Sequence, residues 1–379
     1  MPADADRQKF KVLIAGGGVA AVEAALALRE LAADRLALTL LAPNDELLYR
    51  PMTVREPFSY AAAGRYELGP IARDVGAELV ADRLDRVERD TRTVHTEGGL
   101  ELPYDALLIA LGARPQPRYD NAITIDDRRM DETIHGLVQD VEGGYIDSIA
   151  FLVPARMGWQ LPAYELALMM AGRAYDMSAE VAITIVTDEP APLALFGETV
   201  SERVAEILAR AGVDVLTSST AETPQDGTVV VEPGARLVPA KRAVSLPELY
   251  GPAVRGLPAA EHGFLPVDDR GRVRDAPGVF AVGDASDFPV KHGGIGTQQA
   301  DTAAEAIAAL AGAELNPQPF RPVLHAMLLT DGHALYLTAE LDGTRALTSE
   351  VSDTATWSPP TKIAARFLGP YLEQLDRRV

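Results

Sequence analysis

Three consecutive glycines, Gly16 to Gly18, stand between an apolar run and an alanine-rich stretch in KVLIAGGGVAAVEAALALRE, residues 11–30. Val12, Leu13 and Ile14 are strand formers, and the residues after the glycines carry apolar side chains at helical spacing. The pattern predicts strand, tight turn, helix. Gly16, Gly18 and Ala21 then fill the three small-residue positions of a GxGxxG-type fingerprint, with Val19 and Ala20 between them. Missing side chains let a pyrophosphate approach the backbone at a helix N-terminus. Glycine turns also arise for steric reasons alone, so the flanking strand and helix are what point to a dinucleotide. A second chemical stretch is RDAPGVFAVGDASDFPVKHGGIGTQQ, residues 274–299. VFAVGD is an apolar strand stopping at Gly283 and Asp284, and an acid there can accept hydrogen bonds from sugar or polyol hydroxyls. Gly293, Gly294 and Gly296 open a helix with Ile295, Thr297 and Gln298. Its N-terminus favours negative charge, with Lys291 and His292 beside it.

The 379-residue chain contains no cysteine. That excludes disulfides, thiolate metal sites, iron–sulfur clusters and any redox route through a thiol. Electron chemistry must then belong to a bound cofactor. The six histidines show no HxxxH spacing, so no metal is expected.

These residues need a scaffold, and apolar runs supply one. Ala37 to Ala42 reads as a second parallel strand. Its end carries Ala42 where dinucleotide folds place an acid for the ribose, with Asn44 and Asp45 just beyond. Arg50 follows in a loop at the ligand-binding end, read equally as a cofactor contact or a solvated arginine. Residues 77–102 read as a small antiparallel insert with a turn at Gly98 and Gly99, and residues 104–115 as a buried strand running through Ala110 to Gly112. A second strand–helix series starts near Ile149 and continues through ITIVTDE and a helix over 198–211. Its first connection, Pro154 to Trp159, holds one glycine and two bulky residues, which denies a pyrophosphate the close approach offered at Gly16.

A formal charge of -20 repels phosphates, so nucleic acid is excluded as a partner. There is no run of 18 apolar residues, and the N-terminus is polar and acidic. A cytoplasmic protein is expected, with peripheral membrane contact through the C-terminus as its one route to a bilayer. There Ile363, Phe367, Tyr371, Leu372 and Leu375 recur near helical spacing, interrupted by Pro370. Such a stripe more often packs on its own protein. Oligomeric state has no signature here.

GGGVAAVE, LLIALGARP and APGVFAVGD, in that order, resemble the two-dinucleotide-domain flavoproteins, the pyridine nucleotide-disulfide oxidoreductase superfamily. FLVPARMGWQLPAYELALMMAG and FPVKHGGIGTQQAD look most like its sulfide:quinone reductase and type II NADH dehydrogenase branch. The resemblance implies an α/β fold with two Rossmann-like domains, the second inserted in the first: residues 1–122 and 261–318 for FAD, 123–260 for the second, and a C-terminal segment, 319–379. It implies that Gly16, Gly18 and Ala21 face the FAD pyrophosphate and that the backbone near Leu84 meets adenine. It further implies that Gly112 passes close to the cofactor, that Asp284 binds the ribityl chain or pyrophosphate, and that Lys291 with Gly293, Gly294 and Ile295 lies against the isoalloxazine. Lys291 would stabilise the anionic reduced ring, with His292 or Arg50 as lesser contributors.

Two departures narrow the expected activity. Sulfide:quinone reductases carry sulfur on cysteines, one of them in the connection that here reads Arg156, Met157, Gly158, Trp159. NADH-dependent relatives bind their donor on a second glycine loop, which this chain lacks. The expectation is an FAD enzyme passing electrons from a small donor to a quinone or similar acceptor. Two alternatives stand: a catalytically degenerate flavin-fold scaffold, and a reductase with an atypical NAD(P)H site.

Overall fold

The computed structural model describes residues 9–59, 62–330 and 332–377. Two five-stranded parallel sheets organise it. The first runs Val279–Ala281, Ala106–Ile109, Phe10–Ala15, Leu36–Leu41, Ala77–Val80. Along its central strand Val12 and Ile14 pack under helix Val19–Ala32, while Leu13 and Ala15 enter a separate core on the opposite face. Alternate side chains of a strand point to opposite faces, so a strand covered on both sides must be apolar throughout. Helix Val19–Ala32 lies beside helix Gly293–Leu310, and their contact is mostly alanine: Ala20, Ala24 and Ala27 facing Ala300, Ala303 and Ala304. Small side chains let the two axes approach closely.

Residues 77–80 correct the sequence reading. They form a parallel edge strand of the first sheet, and the antiparallel meander is only Leu84–Glu88, Thr93–Thr96 and Glu101–Pro103. The stretch AELV is half-exposed because an edge strand faces solvent, which imitates the alternation of a hairpin.

The second sheet, Ile123–Thr124, Arg242–Ser245, Ser148–Leu152, Ala182–Val186, Val213–Leu216, is parallel throughout and repeats the order of the first over its last four strands, but its outer strand comes first in the chain where that of the first sheet comes last. Each unit also carries a three-stranded meander just before the strand that joins its central strand from the other side, 106–109 in the first and 242–245 in the second, here Thr220–Gln225, Thr228–Glu232 and Arg236–Pro239. Helices Met130–Glu142, Leu161–Asp176 and Glu198–Arg210 belong to this unit. The fold class is thus two Rossmann-like α/β units. The first sheet receives its outer strand, Val279–Ala281, only after the chain has completed the second.

The C-terminal part bridges both. Hairpin Val323–Leu329 and Ala334–Asp342 buries Leu324, Ala326, Leu328 and Leu337 in the second unit's core. The last helix, Leu368–Asp376, returns to the first unit and buries Leu368 and Leu372. Pro370 does not interrupt it, because it sits in the first turn, where its missing N–H has no intrahelical partner to lose. Among the described residues no helix is long and apolar enough to cross a membrane.

Candidate cofactor site and adjoining cavity

Strands 10–15, 106–109 and 279–281 lie side by side, and Gly16, Gly112, Gly283 and Asp284 follow their C-terminal ends, where open α/β sheets bind ligands. Gly16 is glycine for two reasons. Its φ is +137°, and a Cβ there would stand 2.2 Å from the carbonyl oxygen of Ala110. Gly17 meets Leu68, whereas a Cβ on Gly18 would meet nothing within 4 Å. Gly18 is also the N-cap of helix Val19–Ala32 and supplies no side-chain cap, so the first-turn amides have no capping side chain. That is the geometry an anionic pyrophosphate requires. Gly112, at φ +72°, likewise has open space where a Cβ would be.

Gly283 has a packing role. At φ +64°, its Cβ position lies 3.4 Å from Ala20 Cβ, and Gly296 crosses it closely in turn. Asp284, next in line, accepts no hydrogen bond from any described residue, and desolvation raises its carboxyl pKa while Lys291 and Arg50 pull it down. Arg50 opens a short 3₁₀ stretch, Arg50–Phe58, and pairs with Asp127 at 3.5 Å on a partly exposed rim. Leu84 lies half-buried at the start of the meander, against the core that contains Leu13 and Ile109. At the end of the second strand Ala42 is buried, and Asn44 and Asp45 are exposed.

Lys291 is buried. Its ammonium donates to the Ser286 carbonyl at 2.6 Å and lies 3.9 Å from the Phe264 ring centre. Desolvation lowers its pKa to about 8, against the pull of Asp284 and Asp287. Gly158 of the second unit is the lysine's immediate neighbour: its carbonyl accepts the Lys291 amide at 3.0 Å, and a Cβ would fall 2.7 Å from the Pro289 oxygen. Gly158→Ala is therefore expected to destabilise by about 1–3 kcal/mol through overpacking against backbone. Urea unfolding monitored by circular dichroism checks this.

His292 is the N-cap of helix Gly293–Leu310, followed by Gly293, Gly294 and Ile295. Its ring lies against Trp159, with centroids 4.3 Å apart and the planes tilted by 42°. Burial, with Lys362 and His325 nearby, lowers its pKa to about 3, so it is neutral, and its Nδ1 is buried without a partner. Together the space at Gly18 and Gly112, the Asp284 carboxyl with no hydrogen-bond partner among the described residues and the orphaned Nδ1 of His292 fit an extended dinucleotide with a ring at one end.

A cavity of about 910 Å³ adjoins Lys291 and lies at the strand ends of the second unit. Met157, Gly158, Leu195, Phe264, Phe288 and Lys291 line its apolar part. Of the two acids just past strand Ala182–Val186, Asp188 is exposed and Glu189 is turned inward. It accepts Tyr164 Oη at 2.7 Å and Thr187 Oγ1 at 3.0 Å, and burial raises its pKa to about 7. Arg156 is occupied by Glu248 at 2.6 Å and Tyr250 at 2.8 Å. The loop 154–160 thus forms a wall, not a phosphate cradle.

Two buried charge clusters escaped the sequence reading. Glu165 and Lys362 pair at 2.6 Å with almost no solvent exposure. Glu165 also accepts the Leu329 amide at 2.8 Å, and Lys362 donates to the Pro51 carbonyl at 3.0 Å. A lone glutamate inside the apolar helix AYELALMM was the available signal. Glu23, the only charged residue of GGGVAAVEAALAL, is the second case; Asp301 joins it.

The profile of the pyridine nucleotide-disulphide oxidoreductase family matches residues 4–137 and 163–309. The chain belongs to that family. It is 24% identical over 265 residues to a sulfide-quinone reductase of Aquifex aeolicus, a match covering 64% of this chain but only 59% of that protein's length. An NADH dehydrogenase-like protein of Mycobacterium tuberculosis is 26% identical over 304 residues, covering 73% and 72% of the two chains. The solved sulfide:quinone oxidoreductase of A. aeolicus superposes with a TM-score of 0.81 at 21% identity, over 90% of this chain and 86% of the other.

Proposed function

We infer that the chain binds FAD in the Gly16–Gly18 cradle and passes electrons from a small donor to a quinone or similar acceptor, without thiol or persulfide chemistry. The observation that supports this is the glycine turn at Gly16 to Gly18, with Gly18 leaving space at the start of a helix that has no side-chain cap, in a chain that has no cysteine. FAD supplies the two-electron step; the protein supplies binding, orientation and electrostatics. The first helix terminus and Gly18 would hold the pyrophosphate, and Asp284 the hydroxyls of the ribityl chain. Lys291, cationic below about pH 8, would oppose negative charge on the ring, and the same pKa allows it to release a proton at mildly alkaline pH. The donor would occupy the 910 Å³ cavity beside Lys291, which is larger than an inorganic donor needs. The quinone reading draws on the relatives named sulfide-quinone reductase.

A second reading keeps NAD(P)H as donor. In its favour, the cavity lies where a second dinucleotide would run, and Asp188 is exposed just past the second strand. Against it stand the wall at 154–160 and the inward Glu189. One stopped-flow series separates the readings. Flavin reduced by dithionite should be reoxidised on mixing with a short-chain ubiquinone, and millimolar NADH should leave oxidised flavin unbleached. Flavin that stays reduced in excess quinone sinks the first reading; rapid bleaching by NADH selects the second. Lys291→Met should slow the quinone-reoxidisable turnover and remove its inflection near pH 8.

A further inference from the structure

We propose that the cavity beside Lys291 receives an apolar molecule carrying a protonated amine, and that this ammonium completes the unpaired carboxylate of Glu189. The proposal deepens the reading of that cavity as the donor site, and rests on that reading only for calling the ligand a donor.

Glu189 is 8% exposed and lines the cavity just past strand Ala182–Val186. Thr187 Oγ1 accepts the Glu189 amide at 3.2 Å, which leaves its own hydrogen for Glu189 Oε2 at 3.0 Å. Tyr164, fully buried on helix Leu161–Asp176, donates to the same oxygen at 2.7 Å. Two hydroxyl donors on one oxygen fix the side chain and favour its ionised form. The other oxygen, Oε1, accepts no hydrogen bond from a described residue and is not shut away from solvent, so it opens on the cavity that the residue lines.

What this carboxylate lacks is a cation. Two other buried acids have one: Glu165 pairs with Lys362 at 2.6 Å, and Glu248 with Arg156 at 2.6 Å. Among the described residues no Lys, Arg or His pairs with Glu189, and Asp188 beside it adds a second negative charge. A carboxylate buried without counter-charge is costly, and burial accordingly pushes this one up to about 7.

The cations that line the cavity are engaged elsewhere or stand at its rim. Arg156 is held by Glu248, and Lys291 donates to the Ser286 carbonyl with Asp284 and Asp287 around it. Arg345 is exposed. A ligand ammonium would bring both the missing charge and an N–H for Oε1. Met157, Leu195, Phe264 and Phe288 would cover its apolar body, and the cavity has room for an organic molecule. The formal charge of -20 on the chain favours the approach of a cation and opposes that of an anion.

The test is calorimetric titration of the full-length, FAD-supplemented protein at pH 8 with three probes of one shape: phenethylammonium, phenethyl alcohol and phenylpropanoate. The ammonium should bind at one site per chain, roughly tenfold or more tighter than the alcohol, with the carboxylate weakest. Glu189→Gln keeps the size of the side chain but not its charge. It should weaken the ammonium by about thirtyfold or more and erase its advantage over the alcohol. No binding of the ammonium, equal affinities for the three probes in the wild type, or an ammonium affinity unchanged in Glu189→Gln overturns the proposal. The wild-type series stands whether or not the variant folds. Because the titration reads binding and not turnover, the two readings fail separately. A flavin that quinone cannot reoxidise would sink the electron-transfer reading alone, and a probe series without preference for the ammonium would sink this one alone.

Discussion

Lys362→Met is expected to cost about 3–5 kcal/mol of stability, because it strands the Glu165 carboxylate in a site with no access to water. Burial already disfavours both charges: it raises the Glu165 carboxyl and lowers the Lys362 ammonium, and each is held ionised chiefly by the other. The pair ties together helix Leu161–Asp176, the 3₁₀ stretch through its Pro51 carbonyl, strand Val323–Leu329 and the C-terminal segment. Removing one partner leaves the desolvation cost without its compensation. Removing both does not, so Glu165→Leu combined with Lys362→Met should regain most of the loss, apart from the stranded Leu329 amide. Urea denaturation of the single and double variants measures this. A single variant within about 1 kcal/mol of wild type would show the pair to be hydrated and the cluster unimportant to stability.

Gly18→Val should separate binding from folding. The residue has φ −88° and ψ −175°, a conformation open to any amino acid, and its Cβ position faces empty space. Unfolding of the flavin-free variant should therefore match wild type. The new branches would occupy the space over the first-turn amides, and overpacking of about 2–3 kcal/mol there weakens FAD binding by roughly a hundredfold. Gly16→Ala behaves oppositely: its Cβ collides with the Ala110 backbone at a φ that alanine avoids, so the fold itself suffers. Fluorescence titration with FAD, alongside unfolding of the apo proteins, checks both. Unchanged FAD affinity in Gly18→Val would place the pyrophosphate elsewhere.

Much of this arrangement was legible in the sequence because local patterns carry it. The glycine turn at 16–18 and the VFAVGD strand reflect steric demands made on a few adjacent residues, and the second unit announces itself by repeating strand, connection and helix. Residues 77–80 misled because an edge strand and a hairpin strand expose the same alternation. Ile123–Thr124, two residues long, has too little periodicity to register. The buried charges were half legible. Glu23 and Glu165 are conspicuous as acids inside apolar stretches of their helices, but their partners lie 344 and 197 residues away, and nothing local predicts such pairings. The cavity is likewise a product of tertiary packing, since loop 154–160 becomes its wall only by lying against Lys291.

The most direct test of the central claim is an absorbance titration of the purified chain with FAD, followed under anaerobic conditions by dithionite and then a short-chain ubiquinone. The account predicts saturation at one flavin per chain, full bleaching, and return of the oxidised spectrum on adding quinone. A colourless protein that takes up no FAD, or a bound flavin that quinone cannot reoxidise, would contradict it.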